Sequence, residues 1–264
     1  MPKPAIVIIP GAWHCPQHYR RLINELVKVG YEAEGVTMPS AGSSPPLPSW
    51  DQDAEAVRQV ILRYLDAGKD VIAVAHSFGG IAMSEGVKGL GKADREKEGL
   101  KGAVVRLIYM AAMAVPEGQS YLDVMQPITP EEEVVSKKKS EDQMKYGGFK
   151  SSEDGSLHVD HEMGRQVFYN GCAPADVEDA LGLLKSFPPG LLGVPVTYSA
   201  FLNFPSTYIV CENDNALDLL WQRRMIAQAD GEFTVETCQE GHSPFLSNVG
   251  FIMGCVRRGA GEAV

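Results

Sequence analysis

Residues 70 to 81, Asp-Val-Ile-Ala-Val-Ala-His-Ser-Phe-Gly-Gly-Ile, constrain the fold of this chain more than any other stretch. Val71 to Ala75 is short, fully apolar and rich in β-branched residues, which predicts a buried parallel strand. Ser77 follows, with Gly79 and Gly80 opening a helix expected to run through about Val87. A serine at a sharp strand-to-helix turn has a strained backbone, and small residues two positions to either side let neighbouring chains pass closely. The hydroxyl is lifted out of the sheet, and the free N–H groups of the helix N-terminus lie beside it. The pattern is G-x-S-x-G with Ala75 in the first glycine's place. A serine that merely caps a buried helix fits the same five residues. The two readings separate on whether a carboxylate, a histidine and a second N–H donor occur in the right order elsewhere.

The chain around this stretch alternates strands with amphipathic helices. Ala5 to Ile9 is an apolar strand ended by Pro10 and Gly11, and Tyr19, Leu22, Ile23, Leu26 and Val27 follow at helical spacing up to Gly30. A second strand is expected over Ala33 to Thr37. Ser49-Trp50-Asp51-Gln52 reads as a capping box for a helix carrying Val57, Val60, Ile61, Tyr64 and Leu65. Lys88 to Lys101 reads as a charged surface loop, and Ala103 to Ala112 as the next buried strand. Thr207 to Cys211 and Phe233 to Thr237 are later strands, with a helix from about Leu219 to Ala229 between them. The tail after Val256 is polar and Gly-rich, the composition of a frayed end. Such alternation builds βαβ units and a mostly parallel sheet.

From Met113 the alternation stops. Glu131 to Glu133, Lys137 to Lys139, a break at Gly147 and Gly148, and a helix near Pro174 to Lys185 fill the interval. We expect one domain over 1–264, with a core of 1–115 and 201–264 and a mostly helical cap insertion at 116–200. The cap leaves the sheet after one strand and rejoins it at another, so it lies over the strand ends where Ser77 sits.

A length of 264 residues suits one large α/β domain. The net charge of −10 argues against nucleic acid or an anionic membrane as partner, because both are bound chiefly through Lys and Arg. No apolar run approaches the roughly 20 residues of a membrane span, and no secretory leader stands at the start, so a cytoplasmic location is expected. The five cysteines are scattered, without C-x-x-C spacing, as reduced and mostly buried thiols are. A small molecule is therefore the expected partner, with a homodimer left open.

A hydrolytic serine needs a base to take its proton and a carboxylate to orient that base. In the order Ser, acid, His, with each at the C-terminal end of a strand, this chain offers Asp214 three residues past Cys211, and His242 past Thr237. Glu212 and Asp218 compete for the acid role, the first nearer the strand and the second on the expected helix. Of the six histidines, His158 and His161 fall in the polar insertion, where exposure is the default and no metal site is expected. His14 lies by the loop after the first strand and is a candidate to touch substrate. His76 cannot turn back to serve Ser77, and His18 is expected on the polar side of the first helix. The oxyanion hole would use the N–H of Phe78 and, from the loop after the first strand, Ala12.

Pro10-Gly11-Ala12-Trp13-His14, Ala75 to Gly80, Tyr208 to Asp214 with Gln222 and Met225-Ile226, and Gly241-His242 together resemble the α/β-hydrolases of the plant methylesterase and hydroxynitrile lyase type, and more closely their fungal relatives. The resemblance covers essentially the whole chain; within the cap, Phe168-Tyr169-Asn170 and Pro174 to Leu184 carry it. It implies the α/β-hydrolase fold, a Ser77–His242–Asp214 triad, Ala12 and Phe78 as oxyanion donors, and no cofactor or metal. Pro10 replaces the usual histidine before the glycine, and Ala75 the first elbow glycine.

The leading expectation is a serine hydrolase acting on a carboxylic ester or lactone of a small, largely apolar or aromatic metabolite. A carbon–carbon lyase on the same scaffold is the rival enzyme, and a non-catalytic ligand receptor the rival outside enzymology. Lyases of the plant type use a hydroxyl-bearing residue in the oxyanion loop and a lysine after the catalytic histidine, where this chain has Ala12 and Ser243. Trp13, Phe78, Met110, Met113, Tyr121 and Phe245 are candidates to line the acyl site, each equally explicable as core.

Overall fold

The computed structural model describes residues 3–228 and 233–264. In chain order the strands are β1 (Ala5–Ile9), β2 (Ala33–Gly35), β3 (Val71–His76), β4 (Val104–Met110), β5 (Phe149–Ser151), β6 (Leu157–Val159), β7 (Ser206–Cys211) and β8 (Phe233–Cys238). Six of them form one sheet in the order β2-β1-β3-β4-β7-β8, and every pairing in it is parallel. β5 and β6 make a separate antiparallel pair.

Parallel neighbours require crossovers, and the crossovers bury both faces of the sheet. Alternate residues of each strand accordingly enter different cores. Ala5, Val7, Ile9, Ala73, Ala75, Leu107 and Tyr109 pack with Val57, Ile61 and Leu65 of helix α2 (Asp51–Asp66) and with Ile81 to Met83. Ile6, Ile8, Ile72, Val74, Ile108 and Met110 pack on the other face, with Leu22 and Leu26 of the earlier helix α1 (Arg20–Lys28) and with Ile252 and Val256. This two-faced burial is why the interior strands β1, β3 and β7 read as short, largely apolar runs, whereas the edge strands β2 and β8 carry Glu34 and Glu236.

Helix α3 (Gly79–Gly86) follows the Ser77 turn, and α4 (Lys92–Lys97) lies where a loop was expected. The charge of that stretch misleads because Arg95 is buried: its guanidinium donates to the carbonyls of Gly102 (2.7 Å) and Lys101 (3.1 Å). α2 begins at Asp51 with no side-chain cap, since the Ser49 hydroxyl bonds the Asp51 carboxylate instead of the helix N–H groups. β2 is shorter than expected, ending at Gly35 rather than Thr37.

Between β4 and β7 lie α5 (Tyr121–Val124), α6 (Pro130–Lys145), the β5–β6 pair, α7 (His161–Met163) continuing into a π-helical turn over Gly164–Phe168, and α8 (Pro174–Leu183). None of these elements joins the main sheet. α9 (Leu219–Ala227) connects β7 to β8; the end expected at Ala229 lies outside the described residues. After α10 (Pro244–Ser247), helix α11 (Val249–Gly259) runs past Val256, where fraying was expected. The tail is tied down because Glu262 accepts hydrogen bonds from Lys3, Tyr31 and Arg257, each at 2.7 Å.

Candidate active site

Ser77 sits at the C-terminal end of β3 with φ of 52°, in the left-handed region. A non-glycine residue there is strained, and the surroundings over-determine it. Its carbonyl accepts the N–H groups of Gly80 (3.1 Å) and Met113 (2.9 Å). The glycines beside it serve close approach. A β-carbon on Gly79 would lie 2.5 Å from the Ile9 carbonyl oxygen, one on Gly80 2.4 Å from that of Met113, and one on Gly11 2.9 Å from the β-carbon of Ser77. The tight turn therefore depends on bare backbone at all three positions. Phe78 immediately precedes α3, and the first N–H groups of a helix have no partner within it.

The adjacent strands β7 and β8 are in register to their ends, Cys211 opposite Cys238. Beyond them the two loops stay paired, Glu212 N–H to Cys238 O (2.9 Å) and Asn213 N–H to Glu240 O (3.1 Å). This brings two residues 28 apart in sequence into contact: His242 Nδ1 donates to Asp214 Oδ2 at 2.8 Å. The other carboxylate oxygen, Oδ1, accepts the backbone N–H groups of Ala216 (2.7 Å) and Leu217 (2.8 Å). Both side chains are buried, so the carboxylate is committed wholly to its own turn and to the imidazole. An ionised carboxylate only accepts, so Nδ1 carries the proton and Nε2 is left with its lone pair. The rival acids are engaged elsewhere. Asp218 caps α9 by accepting from Leu220 N–H, and Glu212 bonds Gln239.

Three further histidines pack around this pair. The Gly11 N–H donates to the Tyr19 phenol (3.2 Å), which donates to His76 Nδ1 (2.8 Å), and His76 Nε2–H donates to the His242 carbonyl (2.8 Å). His76 is thus turned away from Ser77, as expected, and links the loop after β1 to the histidine loop. His14 Nδ1–H donates to the Ala12 carbonyl (2.7 Å), and its Nε2 accepts from the Tyr169 hydroxyl (3.1 Å). His18 is not on a polar helix face. It is buried in a 3₁₀ turn, Pro16–Tyr19, where Nδ1 accepts the Cys15 N–H and Nε2–H donates to Ala180 O, both at 3.1 Å. Burial lowers all three: His14 and His76 lie well below the ordinary histidine value, and His18 is lowered to about 4. His158 and His161 are exposed.

The expected acyl-site residues fall into two groups. Trp13, at φ of 63°, stacks on Phe149 (5.0 Å between centroids) and packs at a tilt against Phe187 (5.0 Å) and Phe168 (5.6 Å), and its indole N–H donates to Leu157 O (2.9 Å). Phe78 lies 4.9 Å from Phe187, Met113 and Tyr121 belong to the same core, and burial followed by the Asp214 charge pushes the Tyr121 phenol up. Met110 and Phe245 are on the opposite face of the sheet. Phe245 is fully buried against Tyr19 (4.3 Å) and His76 (5.0 Å), so its role here is packing under the histidines. Sequence reasoning missed Tyr19, Phe149, Phe187 and the cap residues Phe168 to Asn170 as parts of the site; the Phe168-Tyr169-Asn170 motif was their one visible signal.

Two cavities border these residues. One of about 340 Å³ lies behind Asp214, lined by Lys139, Asp142, Tyr146, Gln166 and Asp218 among others. A cleft of about 520 Å³ lies between α1 and α8, with His18 in its wall and Arg20, Arg21, Asp176 and Asp179 along it; neither Ser77 nor His242 lines it.

A parallel sheet that presents a serine at a strand-to-helix turn, and an aspartate-paired histidine from two neighbouring strand ends, is the framework of an α/β hydrolase. The chain belongs to the Alpha/beta hydrolase family, which it matches over residues 6–252. The alpha/beta hydrolase nvfD of Aspergillus novofumigatus is 42% identical, over 100% of this chain and 99% of that one. A pyrethroid hydrolase from Sphingobium faniae JZ-2 shares the fold with a TM-score of 0.72 at 20% identity, over 98% of both chains. The methylesterase MES16 from Arabidopsis does so with a TM-score of 0.71 at 20% identity, over 98% of this chain and 99% of that one. Among the described residues no helix is long and apolar enough to cross a membrane.

Proposed function

We propose that this hydrolase cleaves a carboxylic ester or lactone of a small, largely apolar or aromatic metabolite through an acyl-enzyme on Ser77. The observation that carries the reading is the buried His242–Asp214 pair, with Nδ1 bonded at 2.8 Å and Nε2 left to act as base. Ser77 attacks the carbonyl carbon while His242 Nε2 takes the hydroxyl proton. The developing oxyanion is received by the N–H groups of Ala12 and Phe78, fixed donors that need no reorganisation. His242 then returns the proton to the leaving alcohol, and the acyl-enzyme forms. Water, deprotonated by the same imidazole, attacks the acyl carbon and releases the acid and free Ser77. The aromatic group around Trp13 supports an apolar acyl or alcohol portion. Ala12 and Ser243 stand where the lyase chemistry would want a hydroxyl donor and a lysine.

The test is turnover of p-nitrophenyl butyrate together with labelling by a fluorophosphonate. Wild type should do both, and Ser77→Ala should lose labelling and some 10⁴- to 10⁶-fold in turnover. Undiminished hydrolysis by Ser77→Ala would remove the serine from the mechanism.

A further inference from the structure

Gly241, directly before His242, has no conformational need to be glycine, because its φ is not positive. Its need is steric. A β-carbon there would lie 2.4 Å from the carbonyl oxygen of Asn170 and 2.5 Å from its Oδ1. Asn170 comes from the insertion, just past the π-helical turn over Gly164–Phe168. The same side chain also reaches the neighbouring loop, where Nδ2 donates at 2.7 Å to the carbonyl of Asn213, directly before Asp214. One amide is thus wedged between the residue preceding the histidine and the residue preceding its carboxylate partner. The Asn213 carbonyl can only accept, so the amide nitrogen must face it and the amide oxygen must face Gly241. That oxygen is buried and, among the described residues, has no hydrogen-bond partner. Native folds keep few such groups, and each asks for a reason.

The flanking residues grip the same two loops. Asn215 Nδ2 donates to the Gln166 carbonyl (2.8 Å), and the Phe168 ring lies 5.9 Å from the His242 ring. We propose that Asn170 is a positioning residue for the Asp214–His242 pair: by spacing the two loops it sets the distance at which carboxylate and imidazole meet. The proposal rests on the reading of Ser77, His242 and Asp214 as the hydrolytic machinery. In this arrangement the insertion does more than wall the pocket, because the alignment of the base depends on it. Misplacements of the order of 1 Å in such a pair cost about a hundredfold in rate.

Asn170→Asp keeps the shape of the side chain and turns a carboxylate oxygen toward the Asn213 carbonyl. Asn170→Ala removes the wedge. Both are assayed on p-nitrophenyl butyrate beside Ser77→Ala, and each is repeated in an Asp214→Ala background. The expected result is a loss in kcat on the order of tenfold to a hundredfold in both, with KM changed by less than about threefold. In the Asp214→Ala background the same substitutions should cost little more, because the pair they would misalign is already broken. Full kcat in Asn170→Asp, or an equal fold-loss in both backgrounds, overturns the proposal. Asn170→Asp, being isosteric, decides the matter if Asn170→Ala does not fold. Activity retained by Ser77→Ala would instead overturn the machinery on which the proposal rests.

Discussion

The Tyr19 phenol lies 2.8 Å from His76 Nδ1 and receives the Gly11 N–H at 3.2 Å, so one hydroxyl joins the loop after β1 to the histidine beside Ser77. Tyr19→Phe removes a donor and an acceptor at once and leaves Gly11 N–H and His76 Nδ1 without partners. A buried polar group stripped of its partner costs about 1–3 kcal/mol. The variant should unfold at lower urea concentration by that order and turn over ester more slowly, because the loop after β1 and the His242 carbonyl are no longer tied. An unchanged unfolding midpoint with unchanged turnover would show that the phenol only fills space.

Asp214→Asn should impair hydrolysis far more than Glu212→Gln or Asp218→Asn. An asparagine amide in place of the carboxylate would present the wrong partner to His242 Nδ1–H, and a tautomer defect of this kind costs about 10⁴-fold in a comparable triad. The rivals cap α9 or bond Gln239. Side-by-side kcat values for the three variants check this, and a larger loss in either rival would move the acid role there.

His14, His18 and His76 are buried as neutral imidazoles with both ring nitrogens occupied. Desolvation holds each below its ordinary value of 6.5, and for His18 the nearby Arg20 and Lys185 add to the lowering toward about 4. Above pH 6.5 neither folded nor unfolded chain binds these protons, so they leave stability unchanged. Below it the unfolded chain takes up protons that the folded chain refuses, and stability falls with pH, for His18 until about 4. His18 alone would account for a loss of about 3 kcal/mol across that window. Urea midpoints from pH 7.5 to 5 should therefore decline, and a flat or rising series would contradict the burial argument.

Two glycine substitutions should act in opposite directions. Gly80→Ala places a β-carbon 2.4 Å from the Met113 carbonyl oxygen and forces the Ser77 turn apart, at a cost of about 1–3 kcal/mol in stability. Gly182→Ala lies in α8 with nothing within 4 Å and an ordinary φ, so it should be neutral or stabilising by up to about 1 kcal/mol. Thermal unfolding of the two variants reads both signs; a tolerated Gly80→Ala would mean the turn can shift without loss.

The parallel sheet was legible because two-sided burial writes the interior strands as largely apolar runs. Ser77 and Asp214 stood out because each follows such a run within a few residues, and His242 because it follows the β-branched alternation of Phe233–Cys238. The contacts of His18, Arg95 and Asn170 did not, although Asn170 lies in a motif that did, and for one reason: each polar side chain is satisfied by, or wedged against, backbone belonging to another element. Ala180, Gly102 and Asn213 supply carbonyls to them, and a carbonyl has no letter in the sequence. The β5–β6 pair escaped notice because three-residue strands, one of them Phe-Lys-Ser, have no room to display a period.

β8 is one of the two edge strands of the sheet and lies near the end of the chain, while Ser77 lies in its first third. Domains fold as the chain emerges from the ribosome, and contacts distant in sequence form late. A partly synthesised chain that ends before residue 233 contains β1 to β4 and the serine turn, yet it holds neither the imidazole nor the β8 backbone that braces the Asp214 loop. The serine turn therefore precedes, in the growing chain, the base that the proposed mechanism assigns to it. On the proposed mechanism the serine is then without its base until one edge strand has docked, so a chain truncated before residue 233 is expected to resist labelling by a fluorophosphonate.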